Sequence, residues 1–234
     1  MRVGHRPRRK HVVRTPVEVP AENLLPAGPP PSYLSEKRYR RFLAALARRQ
    51  PDLTVVVENV YDSFNLSAVL RTCDAVGIAT VHLLYYREKP PRIFTGVASS
   101  AQKWLTLQQH GSVEEAFAAL RAAGLRVYAT GAAVGALSPE EVDFTQPTAI
   151  LLGNENRGVS PEALAQADGT IYIPMQGMVQ SVNVTVAAGM ILYEAQRQRA
   201  EAGFYDAPRL TEQEWQALLE CWLKRERERP QGAG

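Results

Sequence analysis

Asn59, Asn65 and Arg71 stand six residues apart in the stretch NVYDSFNLSAVLRTC. An arginine can grip a phosphate with two parallel N–H donors, and an asparagine amide can orient either a loop backbone or a ligand hydroxyl. Two further stretches carry groups of this kind. LLGNENRG sets Glu155 and Arg157 between Gly153 and Gly158. Gly153 permits a close backbone approach and Gly158 a positive φ. Glu155 is a candidate ligand-orienting group or base, and Arg157 faces either RNA or Glu155. IPMQGMVQSVNVTVAAG brings Ser181 and Asn183 beside Met175 and Met178. Polar groups next to polarizable thioethers suit the adenosyl or amino-acid portion of a cofactor. Each stretch also has a plainer reading: Asn65 as a helix cap with Arg71 in a structural ion pair, an ordinary strand–turn–helix connection, and methionines that fill the core. None is a G-x-G-x-x-G fingerprint or a Walker A loop, which weighs against a Rossmann oxidoreductase.

All three stretches follow apolar runs with strand character, and two then enter helical patterns. LTVVV (53–57) reads as a buried strand and residues 66–76 as a helix ending at Gly77. VHLLYY reads as a second strand and residues 87–111 as mixed turns. Ser112 and Glu115 have capping-box spacing for VEEAFAALRAAG, which Gly124 stops. RVYAT, TAILLG and TIYIP read as further strands, SPEE as a cap, and Ser160–Pro161 as the start of PEALAQA. NVTVAAGMILYEAQRQRA is the longest helix. A last helix starts at Thr211, with Glu214 in capping-box position and an apolar stripe of Trp215, Leu218, Leu219 and Trp222. Strands alternating with helices imply an α/β fold: a mostly parallel sheet with flanking helices and ligands outside the carboxyl ends of the strands.

The 234 residues suit one medium domain with tails. Residues 1–34 read as a basic, then proline-rich tail, 35–52 as a basic helix, 53–200 as the main domain, 201–225 as a linker and helix, and 226–234 as a second tail. Residues 1–50 hold 12 of the 27 Lys/Arg and 3 of the 24 Asp/Glu, a net of +9, whereas the rest of the chain is net −6. In EKRYRRFLAALARR, capped by Ser35, the apolar side is Tyr39, Phe42, Leu43 and Leu46. Lys37, Arg38, Arg40, Arg41, Arg48 and Arg49 project elsewhere, a pattern that suits a polyanion contact. It equally suits a packing helix with a solvated outer face. No apolar run is long enough to span a membrane, and the basic start lacks the apolar middle of a signal peptide, so a soluble cytoplasmic protein is expected. Two cysteines make no disulfide framework, and the four histidines lack metal-ligand spacing, so no metal is expected.

The ordered set NVYDSFNLSAVLRTCDAVG, LLGNENRGVS and IPMQGMVQSVNVTVAAG resembles the SpoU/TrmH branch of the SPOUT RNA 2′-O-methyltransferases. The likeness spans roughly residues 36–225, and AGFYDAPRL matches the C-terminal region of the tRNA guanosine-2′-O-methyltransferases of that branch. Residues 1–34 lie outside it. They do not resemble the ribosomal-protein-like RNA-binding domain of some rRNA-modifying relatives. The resemblance implies S-adenosyl-L-methionine as cofactor, a C-terminal deep trefoil knot and a homodimer. It implies methyl transfer to a tRNA ribose 2′-hydroxyl, with guanosine 18 of the D-loop favoured over rRNA, and leaves a noncatalytic RNA-binding module as the alternative of another class. It further implies catalytic roles for Arg71, Asn59, Glu155, Ser181 and Asn183, support of Arg71 by Asn65, and cofactor contacts at Thr130, Gly153, Ile173, Met175 and Met178. Arg71 would position phosphate and hydroxyl rather than act as a base, because a guanidinium keeps its proton.

Overall fold

The computed structural model describes residues 24–25, 27–98 and 101–228. Six strands form one parallel sheet: β1 Leu53–Glu58, β2 Thr80–Leu84, β3 Thr106–His110, β4 Arg126–Thr130, β5 Thr148–Leu152 and β6 Gly169–Ile171. Their order is β3-β2-β1-β5-β4-β6. The register runs Val55 opposite Val81 and Ile150, so LTVVVE lies between two strands and is buried along its whole length. That burial on both faces explains its continuous β-branched run, since parallel strands are covered above and below. β3 is the element that the residue pattern misses. TLQQH sits at the sheet edge with a half-exposed polar face, so it carries no apolar period.

Seven helices accompany the sheet among the described residues: α1 Glu36–Leu46, α2 Ser63–Ala75, α3 Thr95–Ala98, α4 Val113–Ala122, α5 Pro161–Gln166, α6 Val184–Glu201 and α7 Glu212–Arg227. One apolar cluster joins one side of the sheet to α2 and α6 through Leu66, Val69, Leu70, Ala188, Ile191 and Leu192. A second joins the other side to α4 and α5 through Phe117, Leu120 and Ala163. α2 begins at Ser63, three residues before the apolar run that suggests it. Its cap is Asp62, whose carboxylate accepts from Phe64 N, rather than Asn65. The expected caps at Ser112, Ser138, Ser160 and Thr211 are present.

α1 and α7 pack together in a third cluster built on Tyr39, Phe42, Leu46, Trp215, Leu219 and Trp222. The start of the chain differs from the tail expected over 1–34. Residues 1–23 and 26 lie outside the described residues, but Leu24, Leu25 and Ala27 pack on this cluster and Leu34 is buried in it. Tyr39 donates its hydroxyl to Gly28 O at 2.9 Å. The leucine pair anchors a proline-rich segment that has no periodicity of its own. At the other end α7 runs on to Arg227, past the expected start of the 226–234 tail; residues 229–234 lie outside the description. The AGFYDAPRL linker ties α6 to the entry of β1. Arg199, fully buried, donates to Asp52 Oδ1 at 2.6 Å, and Arg209 reaches Asp52 Oδ2 at the same distance.

Candidate functional site

The carboxyl ends of β1 and β5 and the entry to α6 converge on one hydrogen-bonded chain of side chains. Glu155, in the turn after β5, accepts from Tyr61 N at 3.0 Å and from Asp62 N at 3.1 Å. The two amides are those of the N-cap of α2, Asp62, and the residue before it, at a helix start where a negative charge is favoured. Glu155 Oε1 also accepts from Asn65 Nδ2 at 2.9 Å. Asn65 Oδ1 in turn accepts from Asn183 Nδ2 at 3.2 Å, while Asn183 Oδ1 caps α6 by accepting from Thr185 N at 2.8 Å. Residues 90 and 118 positions apart in sequence therefore lock the starts of two helices together. Burial pushes the Glu155 carboxyl up, but the hydrogen bonds from Asn65, Tyr61 and Asp62 outweigh it and hold the group below the usual carboxylate range. These hydrogen bonds make the carboxylate an organiser of the turn, tying it to the start of α2.

Arg71 lies six residues beyond Asn65 on α2 and is exposed. Its Nη1 reaches Val97 O at 3.5 Å, and it forms no ion pair among the described residues, which disposes of the structural ion pair. The loop before α3 is held over the same helix face, with Phe94 N donating to Ser67 Oγ at 2.8 Å. Phe64 and Phe94 stack there, with ring centroids 4.6 Å apart, and both rings are about half exposed. Neither phenylalanine stands out in the sequence, because their pairing depends on a loop of irregular structure.

Asn59 is not a member of this assembly. It is buried, has φ 47°, and its Oδ1 accepts from Tyr86 N and Arg87 N at 3.3 Å each. Its carbonyl accepts from Asn154 Nδ2 at 2.6 Å. Of the two roles open to its amide, it takes the loop-orienting one, and Asn65 takes the place beside Glu155 and Asn183. Asn154, which sequence reasoning passed over, also accepts from Asn156 N and Arg157 N and so shapes the NENRG turn. Gly158 has the expected positive φ of +67°. Gly153 permits a close approach of the chain's own backbone: a Cβ there would stand 2.2 Å from the backbone of Gly158 and Val159. Arg157 faces Glu88 at 2.6 Å rather than Glu155.

Residues 173–182 form an irregular, largely exposed segment between β6 and α6. Among the described residues its backbone makes no hydrogen bond to other backbone, leaving donors and acceptors open at the carboxyl edge of the sheet. Ile173 is buried, Met175 packs against the core, and Met178 and Ser181 project into solvent. Thr130 donates Oγ1 to Leu151 O at 3.0 Å, so its hydroxyl is committed to the neighbouring strand.

The basic helix divides. Lys37, Arg40 and Arg41 are exposed, Arg40 beside Glu36 at 2.8 Å. Arg48 is half-buried, with Nη1 reaching Ala44 O at 3.4 Å. Arg38 is half-buried and donates from Nε and Nη2 to the two oxygens of Glu226, both at 3.2 Å. Arg49 departs from its expected RNA contact. It is 2% exposed, donates to Ile78 O and Asp74 Oδ1 at 2.6 Å each, and lies over the Trp222 ring. It faces inward because it closes the gap between α1 and α2.

A parallel α/β sheet with Asn65, Glu155 and Asn183 joined at its carboxyl edge, and Arg71 six residues further along α2, has the open-sheet architecture in which ligands sit outside the carboxyl ends of the strands. The SpoU rRNA Methylase family matches residues 52–193, more than half of the sequence. The chain belongs to the SpoU rRNA methylase family. It is 51% identical over 191 residues to a tRNA (guanosine(18)-2′-O)-methyltransferase of Thermus thermophilus, covering 82% of this chain and 98% of that protein. Among solved structures, the A. aeolicus TrmH/SpoU tRNA modifying enzyme superposes with a TM-score of 0.77 at 41% identity, covering 82% of this chain and 97% of the other. The SpoU methyltransferase AviRb from Streptomyces viridochromogenes, in complex with the cofactor AdoMet, gives a TM-score of 0.56 at 29% identity, covering 66% and 62%.

Proposed function

We infer that this chain transfers the methyl group of S-adenosyl-L-methionine to a tRNA ribose 2′-hydroxyl, at guanosine 18 of the D-loop. The observation that carries the reading is the Glu155–Asn65–Asn183 chain, which joins all three signature stretches on the helix that also carries Arg71, a guanidinium with no ion pair among the described residues. The 51% identity to a guanosine-18 enzyme over nearly its whole length supports the choice of nucleotide.

The residues fit the cofactor. The open backbone of 173–182 offers hydrogen-bond partners, and Ile173 and Met175 offer apolar surface next to it. The loops after β4 and β5, at Thr130 and Gly153, would supply the remaining walls, through backbone atoms at Thr130 since its hydroxyl is engaged. When bound, S-adenosylmethionine supplies a methyl group already carried on a sulfonium leaving group, so the reaction needs no metal. Arg71 holds an RNA phosphate and the 2′-oxygen together and stabilises negative charge as it grows on that oxygen. A guanidinium does not give up its proton to act as a base, so the hydroxyl proton passes to the RNA phosphate. The Glu155–Asn65–Asn183 chain fixes the start of α2, which carries Arg71, against the start of α6, and Ser181 stands in the segment that leads into α6. The Phe64–Phe94 stack offers a surface for an unstacked base.

Two features of the assembly belong to the same proposal. Val186, Met190 and Tyr193 are exposed at helical spacing on α6, with Met178 and Val179 exposed just before it, and we assign this face to a homodimer contact. The loop after β4 runs beside β6, with Leu137 bridged to Ile171, and this crowding of β4, β6 and the segment beyond supports a deep trefoil knot. No helix among the described residues is long and apolar enough to cross a membrane. A cytoplasmic location alongside tRNA follows from the proposed substrate.

The deciding experiment maps methyl transfer from labelled S-adenosylmethionine onto unmodified tRNA transcripts with and without the D-loop guanosine. Ribose methylation at that nucleotide is expected, reduced about a hundredfold or more in Arg71→Ala. Arg71→Lys is expected to be similarly impaired, because an ammonium lacks the two-pronged fork. Transfer to an rRNA fragment but not to tRNA would keep the chemistry and overturn the substrate.

A further inference from the structure

One face of α2 carries an aromatic pair at one end and Arg71 at the other. Phe64 and Arg71 stand seven residues apart on this helix, about 20° short of two full turns, so they share a face with a rise of about 10.5 Å between them. A single segment runs along that face. Its Phe94 stacks on Phe64, with ring centroids 4.6 Å apart and the ring planes 13° from parallel. Phe94 N donates to Ser67 Oγ at 2.8 Å, and Val97 O lies 3.5 Å from Arg71 Nη1.

The two rings are exposed and yet fixed. Phe64 is 53% exposed and Phe94 45%, so both present apolar surface to water. The backbone of Phe94 is pinned on both sides. Ile93 before it packs against the core, its N–H is held by the buried Ser67, and its carbonyl accepts from Ala98 N at 2.9 Å. Ser67 is itself tethered, donating to Ser63 O at 2.6 Å. Contact between the rings satisfies packing and leaves their outward surfaces unused. A ring already held in place binds a flat partner without the cost of ordering a mobile side chain.

We propose that the Phe64–Phe94 pair receives the base of the same nucleotide whose ribose is methylated, as the third layer of its stack, while the ribose lies at Arg71. The assignment deepens the RNA-methylation reading above and rests on it. A nucleotide that presents its 2′-oxygen to Arg71 is drawn onto α2 and gives up stacking on its RNA neighbours, and aromatic side chains are what replaces that loss in RNA recognition. Rings and guanidinium are separated along the helix by a distance that one nucleotide, base to phosphate, can span. Every base has a π face, so the pair grips the target base without reading its identity. It is a handle that holds the nucleotide in place for transfer.

The test is a cycle between ring and base. Wild-type protein, Phe64→Leu and Phe94→Leu are each assayed on tRNA carrying either the guanine or an abasic ribose at the methylated position, which keeps the 2′-hydroxyl. On intact tRNA each leucine variant should lose about 5- to 150-fold in kcat/KM, the range that one base–aromatic stack supplies. On abasic tRNA the same substitutions should cost little, because the base they would hold is gone. Equal losses on both RNAs would overturn the proposal and make the pair a packing contact of the loop. Coupling to an abasic neighbour instead would overturn the assignment to the target nucleotide. A second measurement places 2-aminopurine at the methylated position and reads its fluorescence at saturating protein. The complexes of both leucine variants should be brighter than that of the wild type, and equal brightness would overturn the stack. This readout needs binding alone, so it decides the aromatic pair even if the abasic RNA is inert. A wild-type protein that methylates no RNA would instead sink the functional reading.

Discussion

Asn65 donates through Nδ2 to one partner and accepts through Oδ1 from another, so its amide is held in one orientation. Removing it separates Glu155 from Asn183 without opening the core. Asn65→Ala should lower methyl transfer about a hundredfold, the typical cost of a misplaced reacting group, with little change in melting temperature. Asn59→Ala should behave in the opposite way. It strands the amides of Tyr86 and Arg87 and places a Cβ-bearing residue without a compensating side chain at φ 47°. A loss of about 1–3 kcal/mol in denaturant unfolding is expected. Equal effects of the two substitutions on both activity and stability would refute the division of labour. The six-residue spacing of Asn59, Asn65 and Arg71 is visible in the sequence, but which asparagine faces the site is not. That choice depends on partners 27 to 118 residues away.

At the scale of elements, the turn after β5 decides whether the site assembles. The chain doubles back so tightly that Asn154 N and Gly158 N exchange hydrogen bonds with each other's carbonyls at 3.0 and 2.8 Å. Gly153 faces that returning backbone with no room for a methyl group. Gly153→Ala should therefore displace residues 155–159, loosen Glu155 from α2, and cost about 1–3 kcal/mol or more in urea unfolding. Retention of full stability would mean that the turn can open at no cost. The caps of α4, α5 and α7 are written in the sequence because each depends on a side chain two or three residues from the amide it serves. β3 is not, because its strand state comes from pairing with β2 rather than from its own residues.

For the molecule as a whole, a histidine pair couples the sheet edge to pH. His82 Nδ1 and His110 Nε2 lie 2.8 Å apart between β2 and β3, with Glu115 3.8 Å from His110. Burial, and then the neighbouring His110, pull His82 from 6.5 down to about 4. The folded protein thus binds fewer protons than the unfolded chain between those values. The contribution is complete above about pH 6.5 and is lost as pH falls towards about 4. A decline on the order of 2 kcal/mol is expected across that window, measured by urea unfolding at stepped pH. His82→Leu should flatten it, and an unchanged pH dependence in that variant would assign the acid sensitivity elsewhere.

Sequence alone determined the alternation of strands and helices, most helix caps, the α1 and α7 apolar stripes and the three signature stretches, because each is set by neighbours within a few residues. Tertiary structure decided which polar groups meet. It turned Arg49 inward to Asp74 and Ile78, drew Asn65 rather than Asn59 to Glu155, and filled the space beside Gly153 with the chain's own backbone. Hydrogen bonds act over about 3 Å. Their partners here are tens of residues apart, so only the folding of the chain across its sheet could choose them.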